Sequence, residues 1–128
     1  MYNKKVLDIF KNPDKAGKIL KADGVGKVGN AACGDIMKIY LKIDPKTEVI
    51  TDAKFQTFGC AAAIASTNTA CHMIIGKTLD EALKVKNTDV IDALGELPPQ
   101  KIHCSVLAEE SIAAAVEDYR KKQEKKKK

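Results

Sequence analysis

The sequence predicts an α+β fold: a single domain in which a small antiparallel sheet of about three strands packs against several helices. The length of 128 residues is usual for one domain and is sufficient to bury a core. After a short first helix, alternation of apolar and polar residues is confined to positions before 59. Helical patterns dominate after position 60, and no internal repeat is visible.

The first predicted elements are a helix and an edge strand. Val6, Leu7 and Phe10 recur at helical spacing and predict a helix over 2–10, which the following Asn-Pro pair ends. A loop rich in lysine and glycine comes next. Residues 24–32 then predict a short strand at the edge of the sheet.

Two longer strands, over 36–43 and 48–58, are predicted to form an antiparallel hairpin. Apolar and polar residues alternate in both, as expected when one face of a sheet is buried. The Asp-Pro-Lys-Thr sequence at 44–47 is typical of a turn that would join them. The side chains predicted to share a face are Met37, Ile39, Leu41 and Ile43 in the first strand, and Val49, Thr51, Ala53 and Phe55 in the second.

Four helices are predicted in the second half of the chain. The first covers 61–75 and ends at Gly76. A capping box at 78–81 begins the second, and a third lies over 87–95. Ser105 opens the last helix. The side chains predicted to form the buried stripe of that helix are Ala108, Ile112, Ala115, Val116 and Tyr119.

The net charge of +5 is concentrated at the C-terminus. Residues 120–128 hold seven basic residues and one acid, a net charge of +6, so the rest of the chain sums to −1. With no Trp and six other aromatic residues, a surface for base stacking is not expected, and neither is a nucleic-acid partner. We expect one domain over 1–120 and a solvated basic tail over 121–128, whose cations suit a helix C-terminus.

No apolar run is long enough to span a bilayer, and the N-terminus lacks the core of a signal peptide. A cytoplasmic location with no membrane partner is therefore expected. In a reducing compartment, widely spaced cysteines favour metal ligation or thiol reactivity over disulfides.

Three of the four cysteines lie in short sequences that could accommodate a ligand. These are Ala32-Cys33-Gly34-Asp35, Phe58-Gly59-Cys60-Ala61 and Ile102-His103-Cys104-Ser105. Cys60 and Cys104 fall at the start of predicted helices, where free N–H groups and the dipole favour a thiolate. Cys71, among apolar helix residues, is expected to be a buried hydrophobic residue, and His72 a satisfied surface histidine. Together the three sequences predict one shared site for a soft metal.

The residues leave the metal open. No CxxC pair or ferredoxin spacing is present, which disfavours a zinc ribbon and a four-cysteine cluster. Three thiolates and Asp35 would carry four negative charges, and either one Zn(II) or one oxidised 2Fe–2S core would halve that charge. Because a carboxylate suits a soft centre less well than a thiolate, a cluster at this site would be held loosely.

Two other sites are not expected. The GxGxxG sequence at 24–29 leads into an alternating strand and not into a helix, so it does not fit a dinucleotide site. A cysteine hydrolase built on Cys104 and His103 is also disfavoured, because adjacent residues rarely present a nucleophile and a base to each other. We therefore do not expect an enzyme.

In these motifs the chain resembles the IscU family, including the N-terminal domain of NifU, whose members are scaffolds for iron–sulfur cluster assembly. The resemblance runs from about Tyr2 to Arg120. The segments that carry it are Asp23-Gly24-Val25-Gly26, Val28-Gly29-Asn30, Cys33-Gly34-Asp35, Phe55-Gln56-Thr57-Phe58-Gly59-Cys60-Ala61, Ala63-Ile64-Ala65-Ser66 and Leu97-Pro98-Pro99-Gln100-Lys101-Ile102-His103-Cys104-Ser105.

The resemblance implies a role for each site residue. Cys33, Cys60 and Cys104 are implied to be the thiolates that ligate a 2Fe–2S cluster, or a 4Fe–4S cluster between two chains, with Zn(II) able to take its place. Asp35 is implied to keep the cluster labile and to be one candidate for the fourth ligand, with His103 as the alternative. Cys104 is implied to receive sulfane sulfur from a cysteine desulfurase. The protein would then be a monomer or a cluster-bridged homodimer.

The resemblance also implies a chaperone contact. Leu97, Pro98, Pro99, Gln100 and Lys101 resemble the segment that a DnaK-type chaperone binds, with its co-chaperone, to promote transfer to apo iron–sulfur proteins. The two prolines predict an extended backbone here. Gln100 stands where many IscU-type members carry an aliphatic residue and is closer to the NifU-type pattern. The alternatives to a scaffold are a structural zinc-binding protein and a persulfide sulfur carrier.

Overall fold

The strands come early in the chain and most of the helices follow them. The computed structural model describes residues 4–30, 35–58, 61–95 and 102–127. In chain order the elements are α1 (Lys4–Lys11), β1 (Gly24–Asn30), β2 (Asp35–Ile43), β3 (Ile50–Phe58), α2 (Ala61–Ile74), α3 (Leu79–Leu83), α4 (Asn87–Leu94) and α5 (Ile102–Lys127). The predicted α+β class and the predicted order of elements are confirmed. No helix in these ranges is long and apolar enough to cross a membrane.

The three strands form one antiparallel sheet in the order β1-β2-β3. The predicted hairpin is confirmed, with Ile36 opposite Phe58 at one end and Ile43 opposite Ile50 at the other. The glycine-rich strand β1 lies at the edge, as predicted, and its last residue, Asn30, pairs with Asp35. The ends of all three strands at residues 30, 35 and 58 therefore lie at the same end of the sheet.

One facing residue was predicted wrongly in β3. Thr51 is exposed, whereas Ile50 is fully buried. The cause is a shift in register: Lys42 lies opposite Asp52, but Ile43 lies opposite Ile50. Thr51 is thus the extra residue of a β-bulge, which interrupts the strict alternation that the prediction assumed.

The core lies between one face of the sheet and the helices. Burial of apolar side chains on this face and on the facing helix stripes drives the packing. The buried residues include Met37, Ile39, Leu41, Ile43, Ala53 and Phe55 from the sheet, and Ala108, Ile112, Ala115, Val116 and Tyr119 from α5. The predicted core faces of β2 and α5 are therefore confirmed.

The predicted ends of α3 and α4 follow from local sequence chemistry. Thr78 and Glu81 form the predicted capping box: the Thr78 hydroxyl accepts from the Glu81 N–H, and the Glu81 carboxylate accepts from the Thr78 N–H. The helix α4 ends at Gly95, whose φ of 96° is in the region that favours glycine.

The edge strand β1 packs directly against the backbone of α5. A Cβ atom added to Gly24 would lie 2.5 Å from the Ala115 carbonyl oxygen, close to Tyr119 as well. A Cβ added to Gly26 would overlap the Ala115 amide nitrogen and the Ser111 carbonyl oxygen. Only glycine permits this approach, so these two positions set the distance between the sheet and the helix.

A carboxylate from α5 also holds the edge strand. The Val25 N–H donates to Asp118 Oδ2 at 2.9 Å, and the Lys122 ammonium lies 3.0 Å from the same oxygen. Partial burial alone would raise the pKa of Asp118. The Val25 hydrogen bond and the Lys122 ammonium lower the pKa by more than burial raises it, so the pKa of Asp118 lies below its usual value. The edge of the sheet is thereby paired with the helix.

Candidate metal centre

The residues predicted to form the site are only partly covered by the structure. Asp35 is the first residue of β2, and His103 and Cys104 lie in the first turn of α5. The structure describes the backbone of these three residues but not their side chains. Cys33 and Cys60 are outside the described residues altogether. The predicted ligand set therefore stays a prediction, and so does the fourth ligand.

The predicted chaperone segment also lies outside the described residues. This applies to Leu97, Pro98, Pro99, Gln100 and Lys101, and to their predicted extended conformation.

The last helix starts earlier than predicted. It begins at Ile102, before Ser105, so His103 and Cys104 belong to its first turn. Serine favours the N-cap position but is tolerated inside a helix, so its preference alone did not fix the start. The earlier start leaves Cys104 near the N-terminus of α5, where the first four backbone N–H groups lack partners within the helix. The prediction that this position favours a thiolate therefore still applies.

The direction of α5 brings its first turn toward the strand ends. Gly24 lies against Ala115 and Tyr119, whereas Gly26 lies against Ser111 and Ala115. Moving forward along β1 therefore means moving backward along α5. The N-terminal end of the helix must point toward Asn30.

The rise per residue of a strand and of a helix gives an estimate of how far α5 extends along β1. The four residues from Gly26 to Asn30 cover about 13 Å of strand. The same distance takes about nine residues of helix, which leads from the 111–115 region back to the first turn of α5. At these rises the first turn of α5 would reach about the level of Asn30, which pairs with Asp35.

A groove of about 550 Å³ opens beside this end of the sheet. Ile36, Thr57 and Ile64 form part of its wall, and Lys27 and Lys38 contribute positive charge. Ile36 is 42% exposed, which is unusual for a large apolar side chain in a central strand. The sequence analysis did not predict this groove. The only signal for it was Ile36, an apolar residue at the start of the outward-facing side of β2.

The fourth cysteine is well removed from solvent. Cys71 is fully buried in α2, and this burial raises the pKa of its thiol to about 12. A thiol that stays protonated at neutral pH is a poor ligand and a poor nucleophile. The expectation that Cys71 is a buried hydrophobic residue is confirmed.

His72 is a paired surface residue, as predicted. Its Nε2 lies 2.8 Å and 2.9 Å from the two Asp14 carboxylate oxygens, and Asn68 Nδ2 donates to the same carboxylate at 3.1 Å. These hydrogen bonds, the one to His72 first, lower the pKa of Asp14. The contacts fasten the loop after α1 to α2, and the Lys15 and Gly17 backbone in turn pairs with Phe55 at the free edge of β3.

Comparison with known proteins relates the chain to one family over nearly its whole length. The model of the family described as the NifU-like N terminal domain matches residues 1–126. The iron-sulfur cluster assembly scaffold protein IscU 1 of Archaeoglobus fulgidus is 55% identical over 122 residues, covering 95% of this chain and 78% of that protein. The corresponding IscU of Escherichia coli K12 is 48% identical over 128 residues, with 98% of each chain covered.

A solved structure shows the same fold. It is that of a putative iron–sulfur cluster assembly scaffold protein for the SUF system from Fervidobacterium islandicum AW-1. The TM-score is 0.74 and the sequence identity 29%, with 90% of this chain and 96% of that chain covered. The overall fold is therefore shared with a protein of this kind.

Proposed function

The chain belongs to the family of NifU-like N-terminal domains, and from this we propose that it is a scaffold on which an iron–sulfur cluster is assembled and then transferred to apo-proteins. The observation that supports the proposal is that the ends of the three strands lie together at one end of the sheet, toward which the N-terminal end of α5 points. Asp35 pairs with Asn30 and Ile36 pairs with Phe58, and the helix rise brings the first turn of α5 to about the same level.

Chain length supports the convergence of the cysteines. Cys33 lies two residues before Asp35, and Cys60 lies two residues after Phe58. Two residues of extended chain span at most about 7 Å. This connectivity supports the convergence of Cys33 and Cys60 near the paired strand ends, and the direction of α5 supports the same for Cys104.

We propose that Cys33, Cys60 and Cys104 hold a 2Fe–2S cluster as cargo, and that Asp35 or His103 completes the set. Thiolates suit iron in such clusters, whereas a carboxylate or imidazole binds less firmly. The mixed set supports a cluster that can leave. A 4Fe–4S cluster shared between two copies of the chain is the larger alternative.

We propose that the sulfur arrives at Cys104 from a cysteine desulfurase. The thiolate attacks the outer sulfur of the donor's persulfide, a new S–S bond forms, and the donor leaves as a thiolate. The free N–H groups of the first turn of α5 favour the required thiolate. Reduction of this sulfane sulfur to the sulfide of a cluster takes two electrons from a separate reductant, so added sulfide bypasses both the transfer and the reduction in a reconstitution experiment.

Release is proposed to involve a DnaK-type chaperone and its co-chaperone, bound at 97–101, with apo iron–sulfur proteins as acceptors. In this scheme the chain holds and hands on its cargo and turns over no substrate. The division into a domain over 1–120 and a basic tail over 121–128 is also a proposal, although α5 itself continues to Lys127.

Reconstitution tests the function. Anaerobic incubation with ferrous iron and sulfide should produce visible charge-transfer absorption that stays with the protein through gel filtration. A structural zinc protein would instead retain Zn(II) and develop no sulfide-dependent colour. A pure sulfur carrier would take up persulfide through Cys104 alone and would be indifferent to the loss of Cys33 and Cys60.

Replacement of Asp35 by alanine should slow the release of the cluster. Because a hard ligand and the water it attracts are removed, transfer to an apo-ferredoxin should be about tenfold slower, the lower end of the range for a partner that tunes a metal site. Transfer is followed by the visible circular dichroism of the acceptor. Asp92→Ala, at an exposed position in α4, is the control and should match the wild type. Faster transfer from Asp35→Ala would contradict the role of Asp35.

A further inference from the structure

A side-chain hydrogen bond closes the sheet at the end where the proposed site lies. The Thr57 hydroxyl donates to the carbonyl oxygen of Ile36 across the hairpin, at 2.6 Å. Thr57 is the next-to-last residue of β3, and Ile36 is the second residue of β2. The bond therefore ties the two strands at the point where the chain leaves toward Cys60 and arrives from Cys33.

The same hairpin carries a second bond of this type at its other end. The Thr51 hydroxyl donates to the carbonyl oxygen of Lys42 at 3.2 Å. Both bonds join a β3 threonine to a β2 carbonyl at the surface, and both are expected to contribute modestly to folding. They differ in place: only the Thr57 bond is next to the cysteine-bearing segments.

We propose that Thr57 is a positioning residue for the cluster. It touches no iron; its bond reinforces the last pair of the hairpin, at the ends of β2 and β3 from which the chain continues to Cys33 and Cys60. Thiolates held at the correct spacing before the cluster binds lose less conformational freedom when it does. This inference rests on the proposed scaffold function and adds to it a residue outside the ligand set.

The position of Thr57 in the groove wall supports this role. Ile36 and Thr57 both line the groove of about 550 Å³ beside the strand ends, together with Ile64 of α2. Without the hydroxyl bond, the Ile36–Phe58 pair at the end of the hairpin would be held by backbone pairing alone, next to the open space of the groove. The backbone ladder of the hairpin runs from the Ile36–Phe58 pair to the Ile43–Ile50 pair, so the Thr57 hydroxyl adds a side-chain bond at the last pair of that ladder.

Three variants separate positioning from folding. Thr57→Val keeps the shape and strand preference of the residue but removes the donor. Thr57→Ser restores a hydroxyl, and Thr51→Val removes the matched bond at the far end. Each protein is reconstituted anaerobically, its visible circular dichroism is recorded, and the loss of the cluster to EDTA is followed. Thermal unfolding of the cluster-free proteins is measured in parallel.

We expect Thr57→Val to lose its cluster about fivefold faster than the wild type, the factor that one hydrogen bond typically supplies. Its visible circular dichroism should change, because that signal reports the geometry around the cluster. Thr57→Ser and Thr51→Val should match the wild type in both measurements. The two valine variants should unfold at similar temperatures.

The inference is overturned if Thr57→Val matches the wild type, if Thr57→Ser fails to restore the wild-type signal, or if Thr51→Val has the same effect as Thr57→Val. A Thr57→Val protein that does not fold would show a purely structural role and would also overturn it. If the wild type itself develops no sulfide-dependent colour, the scaffold function fails and this inference falls with it, a result distinct from the others.

Discussion

Serine at position 33, 60 or 104 should abolish the sulfide-dependent visible absorption of the reconstituted protein. A serine hydroxyl is hard and stays protonated at neutral pH, so each substitution removes one of the three soft ligands that we propose. With an oxygen-rich set remaining, we expect nearly complete loss of the charge-transfer bands in each single variant. The measurement is the visible spectrum after anaerobic reconstitution and gel filtration, with iron and sulfide determined chemically.

The fourth cysteine supplies the matched control. Cys71→Ala should leave the spectrum unchanged, since the Cys71 thiol is fully buried in α2 and its pKa is raised to about 12. Alanine is preferable to serine here because a buried hydroxyl would add a desolvation penalty. Loss of colour in Cys71→Ala, or full colour in Cys60→Ser, would refute the ligand assignment.

Alanine at position 26 should destabilise the fold strongly. Replacing glycine by alanine within a strand normally reduces the entropy of the unfolded chain and raises stability. Here the added methyl group would overlap the backbone at Ser111 and Ala115, so α5 would have to move off the sheet. We expect a loss of about 3 kcal/mol in the free energy of unfolding, the upper part of the range for overpacking.

Urea denaturation followed by far-ultraviolet circular dichroism measures this loss. Lys27→Ala, at the exposed neighbouring position of the same strand, should change the free energy of unfolding by no more than about 0.5 kcal/mol. Because α5 carries His103 and Cys104, the Gly26→Ala protein should also reconstitute poorly. A Gly26→Ala protein as stable as the wild type would show that the close packing of β1 on α5 does not limit stability.

The parts of the fold that sequence predicted are those that local chemistry determines. The alternation over 36–43 follows from one buried sheet face, and the capping box at Thr78 and Glu81 involves only neighbouring residues. The bulge at Thr51 could not be predicted in this way, because it depends on which residue of β2 lies opposite. The start of α5 at Ile102 likewise reflects packing that a preferred N-cap residue does not reveal.

The candidate site shows the same division. Residue types next to each cysteine singled out Cys33, Cys60 and Cys104, and the family resemblance supplied their roles. The bond from Thr57 to Ile36 carried no such signal, since a threonine in a strand is ordinary and its partner depends on the register. Groups that act by tertiary placement are therefore the ones that sequence reasoning leaves out.

The length of α5 has a consequence for how many partner proteins can bind at the same time. A helix of 26 residues extends about 39 Å. The turn that contains Cys104 and the lysine-rich turn therefore lie at opposite ends of a helix of this length. A partner protein narrower than this length cannot cover both ends of α5. A partner bound at the lysine-rich end therefore leaves the end with Cys104 accessible to a second partner.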